Sequence, residues 1–179
     1  MNAPSPQMHT AQMLALPQMT MPTTTLVPTP TPLDTPTCRR WLALLAAHQV
    51  CVGSALVVDA GTAVTFDLLL ADGRHLGGLI VPGIGMMRDS LLSGTAIPPV
   101  QPEETGGPWA ADTASAIAAG SIQAPAALAE RLYDRLAERS AAAPKLIVTG
   151  GDAERLLLAV NRGARHHPDL VLQGLALIA

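Results

Sequence analysis

The chain has 179 residues and a formal charge of −3, with 49% apolar, 14% charged and only 2% aromatic residues. That length suffices for one domain whose core must be built from Leu, Val, Ile and Ala. The lack of a basic run argues against nucleic acid or a polybasic membrane contact, and no stretch approaches the ~18 uninterrupted apolar residues of a membrane span. Cys38 and Cys51 are the only cysteines. They have neither metal-ligand spacing nor a secretory context, so they read as reduced thiols in a cytoplasmic protein.

Residues 1–37 are rich in Pro, Thr and Met, with Asp34 the one charged side chain. Prolines remove donors and favour extended neighbours, so this segment is expected to be a disordered tail, with the folded part over 38–179. Residues 40–50 carry Trp41, Leu42, Leu44, Leu45 and Val50 on a Leu/Ala background and predict a helix with a broad apolar face.

The stretch 57–67, Val-Val-Asp-Ala-Gly-Thr-Ala-Val-Thr-Phe-Asp, reads as two antiparallel strands joined by a tight turn, with Asp59 and Asp67 near opposite ends of the hairpin. In such a turn the backbone N–H groups of Gly61 and Thr62 and the Thr62 hydroxyl can face a phosphate, because glycine lacks the Cβ that would block approach. A plain hairpin turn is the competing reading. If a phosphate does bind, Asp59 beside it is repulsive unless a cation lies between them, which implies a metal or monovalent ion.

Residues 76–83, Leu-Gly-Gly-Leu-Ile-Val-Pro-Gly, predict a third strand closed by Pro-Gly, with Gly77 and Gly78 allowing another backbone to approach. A short helix follows over 86–92, then a Pro/Gly loop over 97–109. Asp112 is the predicted N-cap of a helix through Ala119, with Thr113 in its first turn, and Pro125 restarts or kinks the helical run. Residues 145–152, Lys-Leu-Ile-Val-Thr-Gly-Gly-Asp, are a short buried strand emptying into Gly150 and Gly151 before a helix. His166 and His167 read as surface residues in a loop.

Three strands with a phosphate turn, then helix, strand, Gly-Gly and helix, is the order of a ribonuclease-H-like half-domain of the actin, hexokinase and Hsp70 superfamily. The expected fold is therefore α/β, a mixed sheet with flanking helices. More specifically, residues 39–179 resemble the type III pantothenate kinases. The resemblance rests on an ordered set: Asp59-Ala60-Gly61-Thr62 with Thr65 and Asp67; Gly77-Gly78 with Pro82-Gly83; Ser93-Gly94-Thr95-Ala96; Asp112-Thr113 with Ala116-Ile117 and Gly120; Thr149-Gly150-Gly151-Asp152; and Pro168-Asp169-Leu170 with Gly174.

This resemblance implies ATP-dependent phosphorylation of pantothenate to 4'-phosphopantothenate, the first step of coenzyme A synthesis, in a cytoplasmic homodimer. By position, Asp59 would hold a monovalent cation (K⁺ or NH₄⁺), and Mg²⁺ would accompany ATP. Gly61, Thr62, Gly150 and Gly151 would contact ATP, and Arg40 and Thr113 would contact pantothenate. In the family a Gly-x-Asp-Arg pattern supplies the catalytic base. Here the aligned residues are Thr37, Cys38, Arg39 and Arg40, so Arg39 stands at the base position. A guanidinium has no lone pair to accept a proton near neutral pH. The family's first lobe, with its Asp-x-Gly-Asn phosphate motif, is expected to be missing from these residues, so low activity is expected. A non-catalytic dimerising remnant and a regulatory protein are the alternative readings.

Overall fold

The computed structural model describes residues 36–97 and 107–179. The disorder expected over 1–37 falls outside them except at Pro36 and Thr37, which open the first helix. That helix, α1 (Pro36–Val50), starts four residues before the expected position. Proline is well tolerated at a first helical position because its missing N–H has no intrahelical partner there.

Three strands follow: β1 (Ala55–Ala60), β2 (Ala63–Leu69) and β3 (His75–Pro82). After them come α2 (Ile84–Gly94), α3 (Thr113–Ala137), β4 (Lys145–Thr149), α4 (Ala153–Ala159), β5 (Ala164–His166) and α5 (Leu170–Ala176). One five-stranded sheet has the order β3-β2-β1-β4-β5. The first three strands pair antiparallel, and β4 and β5 add on in parallel. This is the α/β, ribonuclease-H-like arrangement anticipated from the sequence: a mixed sheet with helices on both faces.

Strand alternation assigns the two faces. Leu56, Val58, Val64, Phe66, Leu146 and Val148 pack with Ala126, Ala129 and Leu136 of α3 and Leu156 of α4. Ala55, Val57, Leu69 and Ile147 pack instead with Ala43, Leu44 and Ala47 of α1 and Leu170 of α5. Every residue of β1 is buried, as a central strand covered on both faces requires. Each fully buried Leu, Val, Ile or Phe in the two clusters contributes about 1.5–3 kcal/mol of apolar burial, so the sheet is held from both sides.

Three expectations are corrected. Asp59 pairs with Thr65 and Asp67 with Val57, so the two carboxylates share the α1 face as diagonal neighbours instead of lying at opposite ends of the hairpin. The helix expected to end at Ala119 runs through Pro125 as one 25-residue element. Pro125 is buried, and Ile117 and Ala118 before it and Ala126 and Ala129 after it are buried too, so burial on both sides holds the helix across the lost backbone hydrogen bond. His166, expected in a loop, ends β5, and the neighbouring His167 N–H donates to the Val148 carbonyl at 2.9 Å. The expected cap is present: Asp112 accepts from the Ser115 N–H at 2.9 Å.

Candidate functional site

The first turn of α1 places two consecutive arginines over two acidic residues of the sheet. Arg40 forms a bidentate pair with Asp67, its Nε donating to Oδ2 at 2.9 Å and its Nη2 to Oδ1 at 2.6 Å. His75 Nε2 lies 2.8 Å from the same Oδ1. Burial alone would push the Asp67 carboxyl up, but the hydrogen bonds from His75 and Arg40 outweigh it and hold the group below the usual carboxylate range. Gly78 faces this network: a Cβ there would lie 2.8 Å from Arg40 Nη2 and would also strike the Phe66 carbonyl. The close approach that Gly78 permits is thus partly to a side chain, where a backbone was expected.

Arg39 reaches the other carboxylate, with Nη2 at 3.5 Å from Asp59 Oδ2. The contact is loose because the Arg39 side chain is 52% exposed, whereas that of Asp59 is 9% exposed. Burial pushes the Asp59 carboxyl above its usual value, and Arg39 opposes that shift without cancelling it.

Asp59 is followed by Ala60 and the Gly61-Thr62 turn. The Gly61 N–H donates to the Ala63 carbonyl at 3.1 Å, so this amide is spent inside the turn and is not directed at a ligand. Thr62 remains the donor-bearing residue of the predicted pair. The end of β3 buttresses the turn: the Gly83 N–H donates to the Thr62 carbonyl at 2.9 Å, and a Cβ on Gly83 would collide with the Gly61 and Thr62 carbonyls. The Pro-Gly after β3 is therefore part of the site's support.

The parallel register sets Asp59 beside Thr149 and brings Gly150 against the end of β1. Gly150 has φ +96°, and a Cβ there would lie 2.6 Å from Asp59 Oδ1 and closer still to the Ala60 carbonyl. The Asp152 N–H donates to that carbonyl at 2.9 Å. Gly151 is exposed, with open space where a Cβ would be. Arg39, Asp59, Gly61, Thr62 and Gly150 thus converge at the carboxyl ends of β1 and β4, the end of parallel strands where ligands of open α/β sheets bind.

Two clefts open there. One, of about 620 Å³, is lined by Gly61, Thr62, Asp89, Ser90, Ser93 and Asp152 among others. The other, of about 270 Å³, includes Arg39, Thr149, Gly150 and Pro168. The helical stripe Asp89, Ser90 and Ser93 was not identified as cleft-lining from the sequence; its i, i+4 spacing on a helix after Pro-Gly was the available signal. Thr113 lies elsewhere, in a cleft of about 510 Å³ with Met87, Leu91 and Ile117 between α2 and α3. Arg40 does not line that cleft.

The residues around Asp59 do not fit a resident monovalent ion. Its carboxylate already faces a guanidinium, and the neighbouring Thr149 hydroxyl donates to the Pro168 carbonyl at 3.3 Å. A second cation about 4 Å from Arg39 would be repelled by about 1–4 kcal/mol, between the bulk-water and near-surface limits. Asp89 and Asp152 line the cleft beside Thr62, where carboxylates could meet the Mg²⁺ of a nucleotide, but Asp152 Oδ1 already accepts from Arg155 Nη1 at 3.1 Å. Among the described residues there is no group of three or more His, Cys, Asp or Glu that could hold a metal ion, and no helix is long and apolar enough to cross a membrane.

The family profile described as Type III pantothenate kinase matches residues 37–135. The type III pantothenate kinase of Nitrosococcus oceani is 40% identical over 146 residues, covering 78% of this chain and 55% of that protein. The one from Thiobacillus denitrificans is 43% identical over 143 residues, covering 78% and 57%. The chain therefore spans little more than half the length of these curated relatives. Among solved structures, a conserved putative Baf family transcriptional activator from Campylobacter jejuni superposes with a TM-score of 0.58 at 26% identity, over 76% of this chain and 62% of that one. With its profile matched over more than half of its length, the chain belongs to the type III pantothenate kinase family.

Proposed function

We propose that this chain is a nucleotide-handling lobe for transfer of the ATP γ-phosphoryl group to the primary hydroxyl of pantothenate, giving 4'-phosphopantothenate in a cytoplasmic homodimer. The observation that carries this reading is the convergence of Thr62, Asp59 and Gly150 at the ends of β1 and β4. Thr62 meets the phosphates, Asp89 holds the accompanying Mg²⁺ with Asp152, itself paired with Arg155, in the same cleft, Gly150 packs the loop against β1, and Gly151 leaves room for the adenosine side. Positioning and charge neutralisation supply most of the rate in such a transfer. Arg40 and Thr113 are the pantothenate contacts implied by family position. Arg40 commits Nε and Nη2 to Asp67, so its role toward pantothenate runs through the remainder of the guanidinium.

This chain does not itself supply the base. The group at that position is the Arg39 guanidinium, 3.5 Å from Asp59, and general-base loss typically costs about 10²- to 10⁴-fold. The same ion pair favours a second reading, a non-catalytic family member that binds nucleotide and dimerises. Calorimetric titration with Mg·ATP and a coupled phosphorylation assay separate the two. Nucleotide binding with a rate far below the ~1 s⁻¹ scale of ordinary kinases, raised in Arg39→Asp when both chains are measured at saturating Mg·ATP, supports the first reading. Nucleotide binding with no turnover in either chain supports the second. Absence of nucleotide binding refutes both.

A further inference from the structure

We infer that Arg39 is the built-in cation of this site: it neutralises Asp59 in place of a bound monovalent ion and offers its other N–H groups to the phosphates of a polyphosphate ligand. The inference rests on reading the Gly61-Thr62 turn as a phosphate site, but not on transfer to pantothenate.

The electrostatic need comes first. Asp59 is buried at the end of β1, one residue before the turn, and Gly150 packs against its Oδ1. A polyphosphate seated on Thr62 would meet this carboxylate across a poorly screened gap, so a positive charge has to lie near both. Among the described ion pairs, the cation on Asp59 is Arg39. The neighbouring Arg40 is tied to Asp67 through two nitrogens and is not the counter-charge of Asp59.

Geometry then favours a bridging role. The 3.5 Å contact engages Nη2, whereas a guanidinium carries five N–H donors in a planar fork suited to phosphate oxygens. The Arg39 head is half-exposed and lines one cleft with Thr149 and Gly150, while Thr62 lines a second cleft, both at the carboxyl ends of β1 and β4, so a polyphosphate would have to extend from one cleft into the other. Arg39 is also the fourth residue of the 15-residue α1, so the positive end of that helix adds to the attraction for an anion. A tethered cation of this kind makes phosphate binding independent of the K⁺ concentration, because the charge is covalently part of the chain.

The test uses the full chain and inorganic tripolyphosphate, which has neither adenosine nor an acceptor hydroxyl. Its affinity is measured by calorimetry in potassium chloride and in choline chloride at equal ionic strength. The expected result is equal affinity in the two salts, a loss of about tenfold or more in Arg39→Gln, and partial recovery when Asp59→Asn is added. Arg39→Lys, which keeps the charge, should stay independent of K⁺ and covers the case in which Arg39→Gln does not fold. The inference is overturned by a K⁺ requirement in the unmodified chain or in Arg39→Lys, by unchanged affinity in a folded Arg39→Gln, or by no tripolyphosphate binding. K⁺-independent binding that depends on Arg39, in a chain that does not bind ATP, would uphold this inference and refute the kinase reading alone.

Discussion

Replacing Arg40 by methionine removes two charge-assisted hydrogen bonds from a carboxylate whose side chain is 3% exposed. Stripping one partner from a buried ion pair costs about 3–5 kcal/mol, because the other charge is left desolvated. Two features lower that figure here: the Arg40 side chain is 22% exposed, and His75 still reaches Asp67 Oδ1 at 2.8 Å. The expected loss is therefore about 2–4 kcal/mol at pH ~7, a large share of a typical stability of ~5–15 kcal/mol. The pH dependence has a defined sign. In the unmodified chain the folded carboxyl of Asp67 lies below its ordinary 3.8, so the stability it contributes is present above that value and fades as pH falls through the folded pKa. Without Arg40, burial pushes the carboxyl upward, and protonation then relieves the variant as the solution is acidified. The gap between the two chains should narrow toward low pH, and adding Asp67→Asn to Arg40→Met should restore more than half of the loss. Urea unfolding followed by far-ultraviolet circular dichroism reads both quantities. A cost under about 0.5 kcal/mol at pH ~7, or a gap that widens in acid, would refute the account of Asp67 as a buried carboxylate held charged by Arg40.

Gly150→Ala should destabilise by more than about 2 kcal/mol and weaken nucleotide binding at least tenfold, since alanine at φ +96° is strained and its Cβ would strike the Ala60 carbonyl. A stable variant with normal affinity would show that the loop does not press on β1. Asp59→Asn should be neutral or stabilising by up to about 1 kcal/mol at pH ~7, because the folded carboxyl is raised and its charged form is disfavoured; that gain should vanish as pH falls through the raised value. Loss of stability at pH ~7 would instead mean that the Arg39 pair outweighs burial. Asp112→Ala should lower the urea midpoint by the equivalent of about 1 kcal/mol, the usual worth of an N-cap, and an unchanged midpoint would mean the cap is dispensable. Sedimentation at about 10–100 μM should show self-association, diminished in Ile80→Lys on the edge strand β3, where Leu79 and Ile80 are exposed; a monomeric unmodified chain would remove the dimer proposal.

The order of β1, β2, β3 and β4, the Gly-Gly turn after β4 and the Asp112 cap were legible in the sequence because each depends on local pattern: alternation, turn residues, or a side chain capping an amide three residues away. The motif set that identified the family is equally local. Tertiary structure alone decided what those pieces do to one another. β5 has three residues and α5 seven, too few for a period to show, and each takes its place only through pairing with β4 or packing on α1. The register of β1 against β2 turned two supposedly distant carboxylates into diagonal neighbours on one face. Arg40 and Asp67 are 27 positions apart, and no spacing rule links them. The Arg39 contact with Asp59 likewise exists only because α1 lies across that face. Local chemistry could suggest a phosphate turn with a cation beside Asp59. That a guanidinium faces Asp59 follows from how a helix and a sheet pack, and that packing is set by long-range burial.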